Sequence, residues 1–260
     1  MKELLNIAWP DFITFVFIFI RVGIIFTSVP VFSAEIIPRS ITALIAFFLS
    51  LVLMPVIPPL TVAMSDISVL FLLVLMLHEL LIGLCLGLAV SLIFAGFQIA
   101  GQLAGFQMGF AIANVVDPMT GADAPITANM FYIVALLLFL SFGGHHLLIK
   151  ALVESFTMVP IESSLPNQGY LSALITYAAT MFVIALKVVA PIIGVLLLLQ
   201  VTFALTARAI PQMNVFLMSF PLIICVGLIF MIVVIKTMPF FFEAALYQSW
   251  EFMKTALSIF

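Results

Sequence analysis

The sequence predicts an all-α, polytopic, membrane-type protein of about six long, kinked apolar helices. Three observations carry that prediction. Of the 260 residues, 66% are hydrophobic and only 7% charged, with a mean hydropathy of +1.42, against roughly 25% charged residues in an ordinary soluble domain. A soluble fold of about 250–300 residues leaves about a quarter of its chain surface in water, more than these few polar residues can cover. The apolar residues also run continuously and do not alternate, which argues against a transmembrane β-barrel. A soluble enzyme is thereby excluded, and so is intrinsic disorder, which needs low hydrophobicity and high charge. The net charge is −3, with eight Lys and Arg spread thinly. That leaves no basic patch for phosphates and hence no nucleic-acid partner.

Six apolar segments follow in order: 12–32, 40–58, 67–97, 129–149, 171–207 and 215–242. Together they make one domain, 1–260. A span needs about 20 apolar residues. The first segment, preceded by Lys2, is too long for the apolar core of a signal peptide and is followed by no small-residue cleavage site. It reads as a retained signal anchor. The third, fifth and sixth exceed what a bilayer needs. Pro191, Pro221 and Pro239 interrupt the last two, and a proline inside a helix removes a hydrogen bond and kinks it. Long kinked helices suit tilted packing in an assembly. Two connections are long. Residues 98–128 are rich in Gly, Ala, Gln and Asn, and 154–170 carry Pro160, Pro166 and Asn167 and read as a solvated turn. With six spans, Lys2, Lys150 and Lys254 fall on one side and Arg39 and Arg208 on the other. This near balance leaves the positive-inside rule little to act on and fits a protein placed by its partners.

Few residues point to chemistry. His78-Glu79 opens a zinc-protease-like H-E-x-x-H, but position 82 is Ile, so the second histidine is absent. The adjacent His145 and His146 point about 100° apart on a helix and are poorly placed to share a metal. Cys85 and Cys225 sit in apolar runs as small core residues. Arg21, Glu79 and Lys187 lie inside apolar segments, where a charge is costly and faces protein or water. They line an ion path or pair structurally within a bundle. No carboxylate pair, nucleophilic triad or phosphate-binding loop is assembled, so the chain reads as a non-enzyme without cofactor or metal.

The glycine pattern is stronger. Gly101, Gly105 and Gly109 recur every four residues, followed by Ala113, and Gly83 and Gly87 do the same earlier. Such stripes let a second helix approach closely. Gln98 and Gln102, also four apart, add hydrogen-bonding capacity to the contact. The seam runs straight into an apolar stretch that contains Phe110, Ile112, Val115, Val116, Asp117, Pro118 and Met119. A bendable apolar loop after a glycine-lined helix has the makings of a plug.

The segments G-Q-L-A-G-F-Q-M-G-F at 101–110 and N-V-V-D-P at 114–118 resemble the central region of the FliR/SctT family of type III secretion export-gate subunits. F-G-G-H-H-L-L-I at 142–149, A-R-A-I-P-Q-M-N-V-F at 207–216 and F-P-L at 220–222 are similar to that family's later motifs, in the same order. The first hundred residues match only in hydropathy and in P-V-F…I-P-R at 30–39. The resemblance implies a FliP-like part, roughly 1–170, and a FliQ-like helical hairpin, roughly 171–260. It implies a single copy in a helical export-gate complex with FliP and FliQ, alongside FlhB. That complex belongs to the bacterial inner membrane, in contact with lipid, with much of it above the membrane plane inside the flagellar basal body, and passes unfolded flagellar rod, hook and filament proteins as transient substrates. The family's plug loop falls between the third and fourth apolar segments. The expected plug therefore runs over 106–125, with Phe106, Met108, Phe110, Ile112, Val115, Val116 and Met119 as bulk and Asp117-Pro118 fixing a turn. An apolar constriction of this kind blocks ions by dewetting and occlusion. Arg208, Pro211 and Gln212 are expected to form an assembly contact. A virulence-type gate subunit and a secondary transporter are the alternatives. A transporter usually needs a charged midplane site, and paired intramembrane charges are scarce here.

Overall fold

The computed structural model describes residues 2–33, 37–58, 68–110, 126–161, 169–209 and 215–260. Among the described residues there are eight helices and no strand: α1 Lys2–Ser28, α2 Pro30–Ser33, α3 Arg39–Leu53, α4 Val69–Gln107, α5 Ile126–Ser141, α6 Gly144–Met158, α7 Gly169–Ala209 and α8 Val215–Leu257. Helix is the form that satisfies every backbone group without water. The scarce hydroxyls follow the same rule. Ser50 donates to the Ala46 carbonyl, Thr202 to Leu198, Thr206 to Thr202 and Thr255 to Glu251, each one turn back.

Among the described residues, four helices are long and apolar enough to cross a membrane, and α5 with α6 passes that test only as a broken pair. The six sequence segments thus become four to five candidate spans. At 15 residues, α3 reaches only about 22 Å, short of a hydrocarbon core of about 30 Å. The α5–α6 break falls at Gly143, whose φ of +67° suits glycine. By contrast, α7 continues through Pro191 and α8 through Pro221 and Pro239. At 39, 41 and 43 residues, α4, α7 and α8 are about 58–65 Å long.

Three segment ends need correction. The fourth segment does not stop at 149, because α6 runs to Met158, so the start of the expected 154–170 turn is helix and holds the buried Ser155 and Phe156. The third segment does not stop at 97, because α4 runs to Gln107. The sixth does not stop at Phe242, because α8 runs to Leu257. Hydropathy falls at 97 and at 242, but Ala and Gln after the first and Glu, Lys and Gln after the second propagate a helix nearly as well as Leu does, and the close contacts of Gly101 offset its poor propensity. The start of the expected 98–128 connection is therefore helix.

The chain forms two compact units. The first comprises Met1–Leu92, Gly143–Tyr177 and Tyr247–Phe260, and the second Ile93–Phe142 and Ala178–Leu246. In the first, α1 packs on α4 along a row of residues four apart: Glu79, Gly83, Gly87 and Ser91. A Cβ at Gly83 would meet the Arg21 carbonyl at 3.0 Å, and one at Gly87 would meet the Ser28 Cβ at 2.5 Å. Ser91 donates to the Ser28 carbonyl at 2.7 Å. The earlier glycine pair is thus a helix-packing row. Tyr177 donates to the Ala89 carbonyl at 2.6 Å and stacks on Phe252 at 4.1 Å. Lys150 and Lys254, expected on one side, both stand over the Trp250 ring, at 5.4 and 4.8 Å.

The second unit has an aromatic core. Phe242 meets Phe97 at 5.4 Å and Phe142 at 6.2 Å, and Phe94 meets Phe139 at 5.5 Å. A Cβ at Gly96 would lie 3.0 Å from the Met181 carbonyl, so α4 and α7 also pass at close range.

Candidate functional site

The site begins where α4 ends. The stripe Gly101, Gly105, Gly109 divides into three jobs. At Gly101 the start of α5 crosses α4 so closely that an added Cβ would lie 2.6 Å from the Thr127 carbonyl oxygen and 2.7 Å from the Ala128 Cα. Thr127 donates its hydroxyl to the Gly101 carbonyl at 2.7 Å, which ties the two backbones together. Gly105 is buried, and its carbonyl accepts the Phe110 N–H at 3.0 Å. Gly109 is not part of the helix. It lies two residues past its end with φ +85°, and its N–H reaches the Phe106 carbonyl at 3.1 Å. These two bonds and the left-handed glycine make a Schellman cap. A Cβ at Gly109 would also meet the Phe220 ring at 2.9 Å.

The cap fixes the residues around it. Met108 is fully buried and fills the space left by Gly227 on α8, where any Cβ would strike its sulfur and Cγ. Met108, expected as plug bulk, is thus packed inside the fold against α8. Phe106 is 55% exposed, and Phe110 is half-buried. The other expected plug residues, Ile112, Val115, Val116, Asp117, Pro118 and Met119, lie outside the described residues. So do Pro211 and Gln212. Arg208 is exposed in the last turn of α7, where a cation faces the negative end of the helix dipole.

A second constellation lies within the first unit. Arg21 and Glu79 are both fully buried. The guanidinium donates through Nε to Glu79 Oε2 and through Nη2 to Oε1 at 2.7 Å. Nη1 donates to Ser155 Oγ at 3.0 Å and Nη2 to the Val159 carbonyl at 3.2 Å. The Phe156 ring lies 3.9 Å from the guanidinium carbon. Of the two readings open for these charges, structural pairing is the one the geometry favours. The sequence singled out Arg21 and Glu79 but not Ser155, Phe156 or Val159, which share one short stretch of chain and give no charge signal. Lys187 is exposed on α7 and belongs to neither constellation. The rings of His145 and His146 lie 4.0 Å apart, and no group of three or more His, Cys, Asp or Glu is placed to hold a metal among the described residues.

The sequence is similar to known proteins over most of its length. The family model for bacterial export proteins, family 1, matches residues 12–249. The flagellar biosynthetic protein FliR of Bacillus subtilis is 37% identical over 227 residues, covering 85% of this chain and 86% of that protein. FliR of Escherichia coli K12 is 32% identical over 209 residues, covering 80% and 79%. FliR of Aquifex aeolicus is 32% identical over 223 residues, covering 85% and 84%.

Proposed function

The chain belongs to the FliR family, family 1 of the bacterial export proteins, and from that premise we propose that it is a non-enzymatic channel subunit of the flagellar protein-export gate. The observation that carries this reading is the family match over 12–249. In the proposed gate one copy of this chain assembles with FliP and FliQ, beside FlhB, in the inner membrane at the flagellar basal body. Unfolded flagellar subunits pass through it. Residues 1–170 take the FliP-like place and 171–260 the FliQ-like place.

The exposed surface suits such a role. Large apolar side chains stand outward along the long helices, among them Leu198 at 70% and Phe240 at 72% exposure. Only 28% of an 18-residue apolar stretch of α7 and 17% of one of α8 is buried within the chain. Such faces need lipid or other subunits against them. Arg208, with five donors in a fixed fork, is proposed to hold a neighbouring subunit's carbonyls together with Pro211 and Gln212. The segment 106–125 is the proposed plug, which rests on the α4 cap and occludes the channel when no substrate is present.

Native mass spectrometry of the chain, purified in mild detergent with its neighbouring genes co-expressed, tests the assignment. A single large hetero-oligomer holding one copy of this chain is the expected result. A monomer or symmetric homodimer that retains no partner sinks it.

A further inference from the structure

A groove of about 340 Å³ runs between α1 and α3, with Gly23 on its α1 wall and Ala46 on its α3 wall. It joins a second hollow of about 360 Å³, and the two share Thr27, Arg39 and Thr42. The groove is apolar along its length and polar where the hollows meet. Thr42 spends its hydroxyl proton on the Phe32 carbonyl at 2.9 Å, and Thr27 spends its own on the Gly23 and Ile24 carbonyls. The remaining donor at that mouth is the exposed Arg39 guanidinium. Among the described residues lining both hollows there is no carboxylate.

Lining and charge together select an occupant. The slot is walled by apolar side chains and Gly23, a surface that suits an unbranched hydrocarbon chain. The outward face of α3 is itself apolar, with Leu44, Phe48 and Val52 more than half exposed. A hydrocarbon-lined slot with Arg39 as the charged group among the described residues at its mouth matches a molecule with an apolar tail and an anionic head. Gly23 makes the slot. A Cβ there would meet nothing within 4 Å.

We propose that the α1–α3 groove binds an anionic glycerophospholipid, with one acyl chain along Gly23 and the phosphate against Arg39. This goes beyond the export reading and stands or falls separately from it. The test uses the full chain in bilayer nanodiscs with photoactivatable phosphatidylglycerol or phosphatidylcholine, each carrying a diazirine on the acyl chain. Crosslinks are mapped by peptide mass spectrometry. Phosphatidylglycerol is expected to label residues 19–46 about fivefold more than phosphatidylcholine, the preference one basic residue gives at an anionic surface. Arg39→Gln is expected to bring the two lipids level. Gly23→Leu is expected to remove labelling by both without lowering the thermal unfolding temperature. Equal labelling by both lipids in the native chain overturns the proposal, as does labelling that survives Gly23→Leu. Loss of labelling once the chain is in its native hetero-oligomer also overturns it, because a protein neighbour then owns the groove.

Discussion

Arg21 on α1 and Glu79 on α4 face each other through two parallel hydrogen bonds, and neither side chain reaches solvent. Arg21 also holds Ser155 and the Val159 carbonyl, so one guanidinium fixes α1, α4 and the end of α6. The ring of Phe156, 3.9 Å from the guanidinium carbon, covers one face of it. A buried pair satisfied in this way contributes little over an apolar replacement, but half of it is costly. Arg21→Ala, which strands Glu79, is expected to destabilise the chain by about 3–5 kcal/mol. The double change Arg21→Met with Glu79→Leu is expected to recover most of that loss. Urea or thermal unfolding in detergent reads both. Cellular export assays add the functional half. If the double variant is stable but export stops, the pair is an ion path and not a clasp.

The two glycines Gly101 and Gly23 set a contrast within one chain. A methyl group at Gly101 collides with the α5 backbone at 2.6–2.7 Å, whereas one at Gly23 meets nothing. Gly101→Ala is therefore expected to cost about 1–3 kcal/mol through overpacking and to lower motility. Gly23→Ala is expected to be neutral or to stabilise by up to about 1 kcal/mol, since alanine is the better helix former. Thermal unfolding of the two variants side by side decides it. Equal shifts would show that the close approach at Gly101 has no energetic weight.

At Gly109 two separate costs fall on any side chain. The backbone sits at φ +85°, which costs an L-residue about 1 kcal/mol, and the Phe220 ring stands where the Cβ would go. Gly109→Ala is expected to lose about 1–3 kcal/mol in total. Adding Phe220→Ala removes the collision but not the strain, so the two substitutions are expected to be non-additive by about 0.5–1 kcal/mol, as contacting residues are. A double-mutant cycle measures this, and simple additivity contradicts the contact.

Much of this architecture was legible in the sequence, and the remainder was hidden for physical reasons. Continuous apolar runs predicted helices because burial leaves the backbone no other partner. The spacing of Gly83 and Gly87 predicted a close helix contact, and α1 supplies it. The apolar segments end at 97 and 242 while the helices run on to Gln107 and Leu257, because hydropathy reports the surroundings of a helix and not its hydrogen bonds. The three later glycines looked like one seam, but period four does not distinguish a packing glycine from a capping one. Only the positive φ of Gly109 does. Met108 looked like plug bulk because its burial depends on Gly227, which lies more than a hundred residues away. The charges Arg21 and Glu79 were visible singly, while their pairing is a tertiary fact.

The anchors of the proposed plug make its removal a clean experiment. The segment leaves α4 through a hydrogen-bonded cap at Gly109 and over the buried Met108. It returns where Thr127 is bonded to Gly101. Deleting 115–119 removes Val115, Val116, Asp117, Pro118 and Met119 and touches none of these anchors, so the fold and the assembled complex are expected to survive. An apolar constriction blocks ions because water withdraws from it, and removal of its bulk therefore opens the resting channel. Planar-bilayer recordings of the purified complex are expected to show a steady conductance in the deletion variant and none in the parent. Phe106→Ala, at a 55% exposed side chain on the last turn of α4, is expected to have a smaller effect in the same direction. If the deletion variant assembles normally and conducts no better than the parent, residues 106–125 join two helices and do not close the gate.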